Sequence, residues 1–67
     1  MKEINIADFL IKKRSENNIT QNKLAFDIGV SKKAVEKWEA GESYPDITLL
    51  PQLATYFGVT IEELLGL

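Results

Sequence analysis

One local pattern occurs four times in this chain: an apolar residue, then a Ser, Thr or Asp, then a second apolar residue four positions after that polar one. The instances are Ile19-Thr20 with Leu24, Val30-Ser31 with Val35, Pro45-Asp46 with Leu50, and Val59-Thr60 with Leu64. This is the grammar of a helix start: the side-chain oxygen accepts from a backbone N–H that the first turn leaves unpaired, and the apolar pair staples the incoming chain to the helix. Glu63, three residues after Thr60, completes a reciprocal capping box. Another helix, first in order, is signalled by Ile6, Phe9 and Leu10 on one face with Arg14 a turn beyond, ending near the polar run 15–18. No segment alternates with period two for long enough to read as a strand. The sequence therefore predicts an all-α chain of five short helices.

Short helices are stable only through the faces they bury. Leu24, Ala25 and Ile28 form the apolar stripe of the second helix, Val35 and Trp38 that of the third, and Ile47, Leu50, Leu53, Ala54 and Phe57 that of the fourth. These are the predicted core. Ala25 is small enough to let the second and third helices approach closely, and Gly29 suits the left-handed conformation that ends the second helix. About two residues then separate these helices, which is a helix-turn-helix arrangement. Pro51 conflicts with a regular helix starting at Asp46, because it lacks the N–H of an early turn; that turn is irregular or the helix starts later. With 67 residues, one core and one domain over 1–67 are expected.

Composition narrows the function. The chain has no Cys and no His, which removes disulfides, thiolate metal sites, the commonest metal ligand and the commonest general base. No nucleophile-base pair or metal set can be assembled, so neither an enzyme nor a cofactor is expected. The N-terminal stretch lacks a signal-peptide core and no apolar run is long enough for a membrane helix, giving a cytoplasmic expectation. Net charge is -2, but residues 12–37 hold seven basic and three acidic side chains, a local balance of +4 against -6 for the remainder. Such segregation favours docking on a polyanion in one orientation; solvated helix faces would give charge runs equally well.

The segment "TQNKLAFDIGVSKKAVEKWEAGESYPD" combines a Thr-Gln helix start, a Leu-Ala pair, a Gly-Val-Ser turn, an apolar-x-x-Trp-Glu helix, then Gly and Pro. Together with Arg14 upstream and "LATYFGVTIEELL" downstream, it resembles the Cro and phage-repressor helix-turn-helix family, also called the XRE family. The resemblance spans nearly the whole chain. It implies a compact, lambda-repressor-like five-helix domain that binds double-stranded DNA, with the third helix, Ser31 to about Glu39, entering the major groove.

Since Val35 and Trp38 face inward, Lys32, Lys33, Glu36 and Lys37 face outward and are the base-contact candidates. Lysine can donate to guanine O6 and N7 but can equally meet a phosphate, and Glu36 can accept from a cytosine amine or simply be solvated. Gln21 stands where the family places a glutamine against the DNA backbone. Ser31 is a cap that can also touch phosphate; Lys23, Lys13 and Tyr44 complete the phosphate-contact candidates. The resemblance pairs Arg14 with Glu39, tying the first helix to the end of the third. Trp38 reads as core.

Two features depart from the family's pattern. The loop 41–45 offers Glu42 where many relatives place basic or polar phosphate contacts, and Lys13 replaces a common apolar residue, able only to lay its methylene stem on the core. Binding as a homodimer to half-sites about 34 Å apart is expected. Phe26 reads equally as a partner contact or as partly buried against a neighbouring helix; Ile61, Leu64, Leu65 and Leu67 of the last segment read as folding onto the fourth helix, Leu67 with the least obvious place there. The expected function is a sequence-specific transcriptional regulator, in the first instance a bacterial or phage repressor. A protein-interaction module on the same fold, such as an antirepressor or antitoxin-type partner, is the alternative.

Overall fold

Leu10, Leu24, Val35, Leu53 and Leu64, one from each of five α-helices, are fully shielded from solvent and belong to one core cluster. In the computed structural model, which describes residues 6–67, the elements are α1 (Ile6–Glu16), α2 (Gln21–Ile28), α3 (Lys32–Glu39), α4 (Leu50–Phe57) and α5 (Ile61–Leu65), with a 3-10 turn at Ile47–Leu49 before α4. The expected domain over 1–67 also takes in residues 1–5, which lie outside the described residues. No strand occurs among the described residues.

The helix starts follow the four-fold pattern of the sequence. Thr20 Oγ1 accepts from Lys23 N at 3.0 Å, and Ser31 Oγ from Ala34 N at 3.1 Å. Thr60 and Glu63 exchange both bonds of the capping box. The helix ends are equally local. Gly29, at φ 87°, closes α2 and sends its N–H to Ala25 O, so α3 begins after only Val30 and Ser31. At the end of α1, Asn18 takes φ 55°, a conformation Asn tolerates better than other non-glycine residues, and Ile19 N returns to Arg14 O at 2.9 Å.

Packing confirms most of the predicted core, namely Leu24, Ala25, Ile28, Val35, Trp38, Leu53 and Ala54. Leu50 and Phe57 are partly buried against it, Phe57 meeting Phe9 edge-on at 6.2 Å between ring centroids. Ile47 corrects the prediction: it is 78% exposed. Asp46 caps a 3-10 turn, Oδ1 accepting from Thr48 N at 2.9 Å, and the α-helix begins only at Leu50 with Pro51 in its first turn. The tighter turn removes Ile47 from the inward stripe that a continuous α-helix would have given it. Phe26 is 82% exposed, so it is not buried against a neighbouring helix.

Candidate nucleic-acid interface

The α2–turn–α3 unit is held from behind by Glu39. Its carboxylate, the last residue of α3, accepts from Arg14 Nε at 2.7 Å through Oε2 and from Arg14 Nη2 at 2.9 Å through Oε1. Gln21 Nε2, at the first position of α2, donates to the same Oε1 at 3.0 Å. Arg14 Nη1 also donates to Ile19 O at 3.0 Å, just before the α2 cap. One carboxylate thus fixes the body of α1, the entry to α2 and the end of α3 relative to one another. Burial alone would push the Glu39 carboxyl up; the Arg14 guanidinium and the Gln21 amide together outweigh it and hold the pKa below the usual value. The expected Arg14–Glu39 pair is therefore present, and bidentate.

Sequence reasoning missed that Gln21 joins this pair. Its side chain is engaged with Glu39 rather than simply solvated, and no local spacing signals a contact across 18 residues. One amide hydrogen and the carbonyl oxygen are left over from this bond, so the tie and a phosphate contact are chemically compatible.

On the outer side of α3, Val35 and Trp38 point into the core, and Lys32, Lys33 and Lys37 are exposed while Glu36 is partly so. Lys32 Nζ lies 3.6 Å from Glu36 Oε2, one turn along. Lys33 and Lys37 have no ion pair among the described residues. Ser31 is extended, at φ -80° and ψ 154°, and exposed as well as capping. Glu42 lies directly past the end of α3, its N–H bonded to Lys37 O at 2.9 Å, and Tyr44 is 67% exposed in the same loop.

The remaining phosphate-contact candidates are dispersed and already neutralised. Lys23 pairs with Asp27 at 3.2 Å, and Asp27 also accepts from the Tyr56 hydroxyl, linking α2 to α4. Lys13 pairs with Glu16 at 3.5 Å, with its ammonium 5.8 Å from the Phe9 ring centroid. The structure therefore brings Gln21 and Lys23 onto α2, Lys32, Lys33, Glu36 and Lys37 onto α3 and Ser31 to the α3 N-cap, while Lys13 stands apart on α1. Among the described residues no group of three or more acids could hold a metal ion, and no helix is long and apolar enough to cross a membrane.

Two helices joined by the three-residue turn Gly29, Val30 and Ser31, the second with a polar, lysine-bearing outer face and an apolar inner one, define a helix-turn-helix protein of the nucleic-acid-binding kind. The helix-turn-helix family profile matches residues 10–64, and the chain belongs to that family, in its Cro and phage-repressor (XRE) branch. It is similar to the HTH-type transcriptional activator BcrR of Enterococcus faecalis, with 44% identity over 53 residues, covering 79% of this chain and 26% of that protein. It is also similar to the cryptic phage CTXphi transcriptional repressor RstR of Vibrio cholerae, with 34% identity over 61 residues, covering 91% of this chain and 54% of that one. The crystal structure of a transcriptional regulator from Listeria innocua superposes with a TM-score of 0.94 at 32% identity, over 98% of this chain and 62% of that one. The chain thus spans about a quarter and about half of the two curated relatives' lengths.

Proposed function

We propose that this chain is a sequence-specific DNA-binding transcriptional regulator that docks α3 in the major groove and acts by binding, not catalysis. The observation that carries the reading is the outer face of α3, where Lys32, Lys33, Glu36 and Lys37 project from a helix whose orientation is fixed through Glu39. Lys33 and Lys37, exposed and without an ion pair among the described residues, are the side chains we assign to guanine edges or phosphates. The Gln21 amide and the Ser31 hydroxyl, at the starts of the two helices, supply phosphate contacts that set the register. Lys23 and Tyr44 contribute at the margin. A single helix-turn-helix covers little DNA, so the functional unit is a homodimer on a two-fold site, its half-sites about one helical turn apart. Repression by occluding a promoter is the mechanism this architecture supports most directly, in a cytoplasmic setting.

Selection from a randomised duplex pool, followed by salt titration on the enriched sequence, tests the reading. A symmetric enriched site is expected, with K33A and K37A each lowering affinity and reducing the salt slope by about 0.9 for a lost phosphate contact. A lysine that reads a base instead relaxes preference at one position, costing about 1–3 kcal/mol there. No enrichment at low salt, even after fusion to a dimerising helix, would overturn it.

A further inference from the structure

The lysine-bearing face of α3 contains one acid, and that acid is not placed neutrally. Glu36 is one turn beyond Lys32 and paired with it at 3.6 Å, with both side chains about half exposed, at 50% and 44%. Lys33 lies three residues before Glu36, so the carboxylate shares its face with two ammonium groups. A surface whose only task was to attract phosphate would gain by replacing Glu36 with any neutral residue.

We propose that Glu36 is a specificity filter: by pairing with Lys32 it suppresses binding to arbitrary DNA, and the two side chains together read a G·C pair. This rests on α3 being the groove-entering helix. An ammonium has three donors and a carboxylate two acceptor oxygens, so the pair can remain joined and still offer donors to guanine O6 and N7 and a free oxygen to cytosine N4. At a sequence without that donor, the carboxylate faces the negative field of the duplex uncompensated, and Lys32 has its charge cancelled by its neighbour. The ion pair itself is weak, as an exposed i,i+4 pair changes populations only about twofold. The discrimination therefore comes from what the DNA supplies to Glu36, not from prying the two side chains apart.

A double-mutant cycle on the chain tests this, with wild type, K32A, E36Q and K32A/E36Q measured by fluorescence anisotropy on the enriched duplex and on a random duplex. Gln matches Glu in length and nearly in helix propensity, so E36Q keeps the fold, which circular dichroism verifies. E36Q is expected to tighten binding to the random duplex about five- to tenfold at 0.1 M salt, the scale of one unmasked phosphate contact. It is also expected to lose preference at one G·C position of the enriched site. K32A is expected to weaken binding to random DNA in both backgrounds, by about twofold more in the E36Q background, the scale of the exposed pair itself. If wild type selects a site but E36Q leaves random-duplex affinity unchanged, or the two substitutions are simply additive, the filter is wrong while DNA reading stands. If wild type selects no site, both fall together.

Discussion

Glu39 is the residue on which the interface geometry depends, and its energetics follow from conflict between burial and charge. Its side chain is 6% exposed, and two helices send donors to it. Removing Arg14 leaves that carboxylate buried without its counter-charge, so R14A is expected to cost about 3–5 kcal/mol. A domain of this size has about 3–10 kcal/mol in total, and R14A should be largely unfolded at 37 °C, as read by thermal melting. R14K is expected to fare only slightly better, because an ammonium cannot reproduce the two-bond fork. The pH dependence has a definite sign. The folded pKa of Glu39 lies below its ordinary value of 4.5, so the carboxylate stabilises the fold fully above that range, and the contribution disappears as pH falls through the depressed folded value. E39Q is therefore expected to be less stable than wild type at pH 6 and to approach it as pH falls below 4.5 and through the depressed folded value. Asp27, Asp46 and Glu63 are also held low, by the Tyr56 hydroxyl and by Thr48 and Thr60 backbone N–H groups respectively, but they titrate alike in both proteins and cancel in the comparison. A gap that stays constant with pH would remove Glu39 from the acid response. The Arg14–Glu39 pair was legible from a family resemblance, whereas the Gln21 bond was not. Gln21 and Glu39 are brought together only when α1, α2 and α3 have packed, and no pattern within either helix encodes that meeting.

At the scale of elements, what reads from sequence is what the chain decides locally. Caps and staples act within five residues of one another, and Thr20, Ser31 and Thr60 all cap their α-helices as their neighbours predict. Ile47 fails because its orientation depends on where a helix begins. Pro51 cannot donate, so the regular ladder starts late and a 3-10 turn fills the gap; the α-helical period used to place Ile47 inward does not apply there. The caps also separate structure from function. S31A and T60A each lose one side-chain bond to a backbone N–H and are each expected to cost about 1 kcal/mol in urea unfolding. Only S31A is expected to weaken DNA binding as well, because Ser31 is exposed at the start of α3 while Thr60 starts α5. Equal DNA affinity of the two variants would reduce Ser31 to a cap.

For the whole molecule, the sign of the net charge is a poor guide and its arrangement a good one. A chain at -2 overall holds a balance of +4 over residues 12–37, but within that stretch Lys13, Lys23 and Lys32 each face a neighbouring acid. Lys33 and Lys37 on α3 and Lys12 on α1 are exposed without an ion pair among the described residues, and the charge asymmetry favours approach to DNA by the basic stretch. Glu42 and Glu36 bracket this face in different ways. Glu42 lies in the loop beyond α3, exposed and bonded through its backbone rather than held by a lysine side chain. Its repulsion of the phosphates is blind to sequence. E42Q is therefore expected to raise affinity by a common factor of about threefold at 0.1 M salt on selected and random duplexes alike. E36Q, by contrast, raises it on random DNA and erodes preference. Measuring both variants on both duplexes distinguishes a uniform electrostatic penalty from a filter, since a purely electrostatic Glu36 would give the same ratio of affinities as Glu42.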